Sequence, residues 1–185
     1  MIDDLLKDAD DRMKRSVEAS RDRLSTVRTG RASPAVLDRV EVDYYGTQTP
    51  LNQMAQISAS EAQSLTVTPY DKSALQGIER AIIDSGLGLT PNNDGNVIRI
   101  QIPQLTEERR GELVKQVRSL AEEGRVAIRN IRREVMHELK EMRTGGDVGE
   151  DDEKRGESDL QKLTDKHISV VDDLLSHKEK DLTEV

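Results

Sequence analysis

The chain has no cysteine, tryptophan or phenylalanine, and Tyr44, Tyr45 and Tyr70 are its whole aromatic content. Without cysteine there is no disulfide framework, thiol nucleophile or thiolate zinc site, and a reducing cytoplasm is the expected compartment. With so few rings, a large sheet-on-sheet core is not expected. No apolar run approaches the roughly 18–20 residues that a membrane span needs. The opening Met1-Ile2-Asp3-Asp4 has neither the basic nor the apolar region of a signal peptide. Walker loops, dinucleotide glycine loops and Ser-His-Asp signatures are missing. His137, His167 and His177 stand far apart, in no spacing that resembles a metal cage. The expectation is a soluble, cytoplasmic, mostly helical protein with no catalytic residues, no metal and no cofactor.

What is present is charge, unevenly placed. Charged residues make up 35 % of the 185, with a formal net charge of −8. Residues 1–29 are balanced, with 7 basic and 7 acidic side chains, and residues 30–105 carry 5 and 8. Residues 106–143 carry 10 basic against 8 acidic, and residues 144–185 carry 6 against 13. One net-basic segment in an acidic protein points to a local anionic partner rather than general affinity for nucleic acid.

Apolar periodicity divides the chain. Leu6, Ala9, Met13, Val17, Ser20, Leu24 and Val27 follow steps of three and four, which predicts a helix over 3–28 ending near Thr29-Gly30. Pro34 blocks its return. The period then becomes alternating. Val40, Val42 and Tyr44 form a half-buried strand closed by Gly46, and Leu65 and Val67 belong to a second. Ser73 to Ser85 fits a short helix with Leu75, Ile78 and Ile82 inward. Asn92-Asn93-Asp94-Gly95 reads as a turn, and residues 97–102 as a strand ended by Pro103. This middle part is expected to be a small mixed unit of three or four strands and one helix. Of Tyr44 and Tyr45 one ring faces inward; the outward one is a candidate partner contact.

A second long helix is predicted from Glu107 to Arg143, with Thr106 as N-cap and Gly111 and Gly124 weakening it by roughly 1 kcal/mol each relative to Ala. After Thr144-Gly145-Gly146, the acidic run Glu150 to Glu153 opens a third, reaching about Leu182. His167 falls on its apolar stripe and reads as a seam residue, not a ligand. Three amphipathic helices bury their stripes only against one another, so the mixed unit is an insertion into a three-helix bundle. The expected fold class is α+β: a long antiparallel three-helix bundle of residues 1–30 and 105–185, with an inserted, hinged β/α/β domain of residues 31–104. The hinge is assigned to Thr29, Gly30 and Arg31 going out and Pro103, Gln104 and Leu105 returning; Thr29-Gly30-Arg31 would also suit a phosphate.

On a helical wheel the second helix puts Leu113, Val117, Leu120, Ile128, Ile131, Val135, Leu139 and Met142 on one arc. Lys115, Arg118, Arg125, Arg129, Arg132, Arg133 and Arg143 fall on another, well away from it. Arginine pairs bidentately with phosphate and stacks on bases, which lysine does not. An exposed helix face laced with salt bridges is the competing explanation. Against it, no acid stands four residues from Arg125, Arg129 or Arg133. These residues leave three functions open: an RNA-binding factor, a helical adaptor pairing with partner helices, and a hydrolase using carboxylates of the mixed unit.

Four runs narrow this. Arg28-Thr29-Gly30-Arg31-Ala32-Ser33-Pro34, Asp43-Tyr44-Tyr45-Gly46-Thr47, residues 104–110 (Gln-Leu-Thr-Glu-Glu-Arg-Arg) and residues 126–133 (Val-Ala-Ile-Arg-Asn-Ile-Arg-Arg) resemble the ribosome recycling factor family, in its order and across essentially the whole chain. The resemblance implies an L-shaped, tRNA-like monomer that is not an enzyme and does not enter membranes. It implies binding to the post-termination ribosome, on 23S rRNA of the large subunit. With elongation factor G, whose GTP hydrolysis supplies the energy, such factors split the subunits and release mRNA and tRNA. It further implies that Arg129 and Arg132 contact ribosomal RNA, with Arg28 and Arg31 contributing near the hinge. Arg133, Arg125 and Arg118 join them as candidate contacts because they share the helix face.

Overall fold

A computed structural model describes residues Met1–Glu184. In chain order the elements are α1 (Ile2–Ser25), β1 (Glu41–Tyr44), β2 (Thr47–Pro50), the single turn α2 (Leu51–Met54), β3 (Ala55–Glu61), β4 (Ser64–Pro69), α3 (Leu75–Asp84), β5 (Pro91–Asn93), β6 (Ile98–Gln101), α4 (Glu107–Thr144) and α5 (Glu150–Thr183). They divide into two compact units, Met1–Thr29 with Glu107–Glu184 and Gly30–Thr106.

The first unit is a bundle of α1, α4 and α5. Each helix carries one apolar stripe, so each needs two neighbours to cover it. Ala9, Met13 and Val17 of α1 pack with Ala121, Ile128, Val135 and Leu139 of α4 and with Leu160 and Val171 of α5. Polar contacts fix the directions. Arg12 pairs with Glu134 and Arg23 with Glu123, so α1 and α4 are antiparallel. Arg125 pairs with Asp172 and Arg143 with Glu153, so α4 and α5 are antiparallel too, and α1 runs parallel to α5. The predicted helix over 3–28 ends three residues early. The Ser25 and Thr26 hydroxyls donate to the carbonyls of Asp22 and Arg23, and the Thr26 and Val27 amides bond three residues back, tightening the chain out of the α-helix.

His167 is a seam residue, as its place on the stripe suggests. It is buried, with Nε2 2.6 Å from Oδ1 of Asp10 on α1, and Lys14 Nζ lies 2.9 Å from the other oxygen of that carboxylate. Lys14 first, and His167 next, hold the Asp10 carboxyl below its ordinary range. A depressed carboxylate contributes stability above its unfolded pKa of about 3.9 and loses it as pH falls through the lower folded value. Asp10→Asn should therefore be less stable than wild type near neutrality, and its stability should fall less steeply on acidification below about pH 4. Urea unfolding followed by far-ultraviolet circular dichroism, at neutral and acid pH, measures both slopes.

The second unit holds six strands, more than the three or four expected. β1 and β2 form a hairpin, and β3, β4, β6 and β5 a four-stranded antiparallel sheet in that order. The unforeseen strands are polar or short. Thr47–Pro50 has no buried residue, and β3 buries only Ala55, so neither shows an apolar alternation. Asn92 and Asn93 belong to β5, and the turn falls one step later: Asp94 accepts from the amides of Asn96 and Val97 through Oδ1. Leu75, Ile78 and Ile82 of α3 pack with Leu65, Val67, Ile98 and Ile100 of the sheet and with Val42 of the hairpin.

Candidate nucleic-acid interface

The basic row of α4 divides by the partners its guanidiniums find, carboxylates for some and neutral amides for others. Arg118, Arg125 and Arg132 are spaced by seven, which returns them to the edge of α4 that borders α5. On that border Arg118 pairs with Glu179, and Arg125 Nε donates to Asp172 Oδ1 at 2.7 Å. Arg125 Nη1 and Arg129 Nη1 both reach Glu122, at 3.0 Å each. These two guanidiniums, Arg125 first, hold the Glu122 carboxyl below its ordinary range. Arg143 pairs with the buried Glu153.

The expectation drawn from missing acids at i±4 is therefore corrected. The acids come from three and seven residues back, through Glu122, and from α5. The seven-residue spacing of Arg118 and Arg125, matched by that of Asp172 and Glu179, is the sequence signal for this pairing.

Arg132 and Arg133 differ from the rest of the row. Arg132 Nη1 donates to the amide oxygen of Gln161 at 2.7 Å, and the Gln161 amide nitrogen donates on to Asp165 at 2.8 Å. Arg133 Nη2 donates to Asn130 Oδ1 at 2.7 Å. Neither guanidinium has a carboxylate partner among the described residues, so both retain an uncompensated charge. Arg132 Nε is buried with no acceptor at all, so turning the fork towards an incoming anion breaks one neutral bond and leaves no carboxylate behind.

Arg28 lies beyond α1 in the bundle unit, and Arg31 belongs to the other unit. Of the assigned hinge, Thr29 ends the first unit, whereas Gly30, Arg31, Pro103, Gln104 and Leu105 belong to the second. Among the described residues no three His, Asp or Glu side chains are grouped so as to hold a metal ion. No described helix is long and apolar enough to cross a membrane.

Bundle, inserted sheet unit and arginine row together define a class: an α+β protein whose distinguishing surface is a helix edge bearing guanidiniums without carboxylate partners. The chain belongs to the ribosome recycling factor family, and with it to the machinery of protein biosynthesis: the family's model matches residues 20–183. It is 55 % identical over 180 residues to the ribosome-recycling factor of Rubrobacter xylanophilus, covering 97 % of each chain. It is 54 % identical over 185 residues to that of Halothermothrix orenii, covering all of both. The solution structure of a ribosome recycling factor aligns with a TM-score of 0.72 at 40 % identity, over 100 % of this chain and 98 % of that one. A second neighbour is the T. thermophilus ribosome recycling factor, shown with E. coli elongation factor G bound to the E. coli post-termination complex. It aligns with a TM-score of 0.65 at 46 % identity, over 98 % of each chain.

Proposed function

We propose that this chain binds the post-termination ribosome through the α4 edge and, with elongation factor G, separates the subunits as a binding factor rather than an enzyme. The observation that carries the RNA-facing assignment is the pair Arg132 and Arg133, charged and held only by neutral amides. Arg129, which shares Glu122 with Arg125, is a secondary contact, and Arg118 and Arg125 position α5 against α4. The target is 23S rRNA: a row of forked donors suits phosphates and exposed bases. Arg28 and Arg31 are auxiliary contacts in this reading.

The second unit moves about the two chain crossings. Gly30 supports this with φ +75°, and a Cβ there would sit 2.9 Å from Leu105 Cγ, so the crossings touch. Ala32 and Ile102 bond through their amides to the carbonyls of Ala62 and Gln63, and Gln104 to the Gln63 side chain. These bonds tie the linkers into the second unit. The pivot therefore lies at Thr29–Gly30 and Thr106–Glu107, at the edges of the expected hinge.

The test is co-sedimentation with vacant ribosomes across a salt series. Phosphate contacts release counterions, so log affinity should fall with log salt by about 0.7–0.9 per contact. Binding that is insensitive to salt would favour apolar helix pairing and overturn the RNA-facing assignment.

A further inference from the structure

The border between α4 and α5 is a ladder with a period of seven. Arg118, Arg125 and Arg132 stand on α4, and Asp165, Asp172 and Glu179 on α5, each row in steps of seven. A step of seven returns to nearly the same side of a helix, so each row keeps to one edge. The helices are antiparallel, and two rungs close in that order: Arg118 pairs with Glu179, and Arg125 with Asp172. The same register sets Arg132 against Asp165. That rung stays open.

An amide stands in it. Gln161 lies one helical turn before Asp165 on α5, and its oxygen accepts from Arg132 Nη1 at 2.7 Å. Its nitrogen donates to Asp165 Oδ1 at 2.8 Å. Chemistry fixes the orientation: an ionised carboxylate only accepts and a guanidinium only donates, so the amide fits between them one way round. Arg132 therefore meets a neutral oxygen where Arg118 and Arg125 meet charged ones, and its buried Nε has no acceptor. The two charges that the register brings together are held apart by a side chain that bonds to both.

We propose that Gln161 is a positioning residue for RNA binding: it intercepts Asp165 and so keeps the Arg132 fork charged and uncommitted for a phosphate. An arginine–carboxylate pair is charge-assisted and can be bidentate, so the rung closes once the amide is removed. A phosphate then has to displace a carboxylate and sit beside it. With the amide in place it displaces one neutral oxygen, and the Asp165 charge stays bonded to the amide nitrogen. The ladder thus assigns two arginines to hold α5 and leaves the third for the partner. What distinguishes the third is a residue on the opposite helix.

This inference rests on the reading of Arg132 as an RNA contact, and the experiment separates the two. Full-length Gln161→Met keeps the length and helix propensity of the side chain but bonds to neither neighbour. It is titrated against vacant ribosomes beside Arg132→Ala, Asp165→Asn, and Gln161→Met combined with Asp165→Asn. Gln161→Met should bind about three- to fivefold more weakly, the upper range by which an exposed ion pair is favoured. Its melting temperature should stay close to wild type, because residue 161 is exposed. Asp165→Asn should restore binding in the Gln161→Met background, where it reopens the rung, and change little in the wild type, where the rung is already open. Gln161→Glu sets a carboxylate directly on Arg132 and should weaken binding at least as much as Gln161→Met. Wild-type affinity in Gln161→Met or Gln161→Glu, with Arg132→Ala weakened, overturns the proposal and leaves the RNA contact standing. So does a loss in Gln161→Met that Asp165→Asn fails to restore, or restores only by the gain it also gives the wild type, since a residue that merely supported the fork would behave that way. Wild-type affinity in Arg132→Ala takes both down.

Discussion

Arg132→Glu with Arg133→Glu should lower ribosome affinity about a hundredfold or more while leaving helix content and melting temperature close to wild type. Each guanidinium offers charge-assisted hydrogen bonds worth about 1.5–3 kcal/mol where it meets a phosphate, and two lost contacts bring the total to about 3 kcal/mol or above. The salt dependence should flatten by about 1.4–1.8 log units for two contacts. The bundle loses little, because each arginine is held within the protein by one exposed bond to a neutral amide. Arg125→Ala should show the reverse. It removes the shared partner of Asp172 and Glu122 at a side chain only 20 % exposed, so stability falls and the salt slope stays near wild type. Ribosome co-sedimentation at several salt concentrations, paired with thermal melts, reads both effects. If Arg125→Ala weakens binding as much as the reversed pair, without unfolding, the division of the row into RNA contacts and α5 contacts is wrong.

That division shows where sequence reading stops. The α4 row is visible as a row because helical periodicity is local: seven basic side chains projected on one wheel need only a rise and a twist. The long helices are visible for the same reason, and the stripe residues Ala9, Met13, Val17, Leu139 and Leu160 are indeed buried. Whether an arginine in the row is neutralised depends on residues 29–61 positions away, such as Gln161, Asp172 and Glu179, and on the register of α4 against α5. The strands of the second unit divide likewise. β4 and β6 bury alternate apolar residues and can be found, whereas β2 takes its place from the Tyr45-Gly46 turn and its pairing with β1. His167 is recognisable as a seam residue, but its partner Asp10, 157 positions away, is not. The resemblance to the ribosome recycling factor family, carried by four short runs, is borne out by the match over residues 20–183.

The two glycines of α4 are alike in sequence, each charged with the same helix penalty, and the structure separates them. At Gly111 an added side chain would meet nothing within 4 Å, so Gly111→Leu should stabilise the bundle by about 0.8–1 kcal/mol through helix propensity alone. Gly124 is buried on α4, facing Ser20 of α1 and Val171 of α5. A Cβ there would run into the Ser20 hydroxyl, lie 3.3 Å from Ser20 Cβ and 3.7 Å from Val171 Cγ1. Gly124→Leu gains the same propensity but must force three packed helices apart, which costs about 3 kcal/mol or more. The two variants should therefore differ by several kcal/mol, in opposite directions from wild type, although the substitution and the helix are the same. Denaturant titration of each variant measures the difference. The exchange Ser20→Gly with Gly124→Ser moves the side chain across the α1–α4 contact while conserving volume. It should recover much of what Gly124→Ser alone loses, because the two positions share one space and their effects are not additive. Failure of the exchange to recover stability would place the cost of filling position 124 on Val171 and α5 rather than on Ser20 and α1.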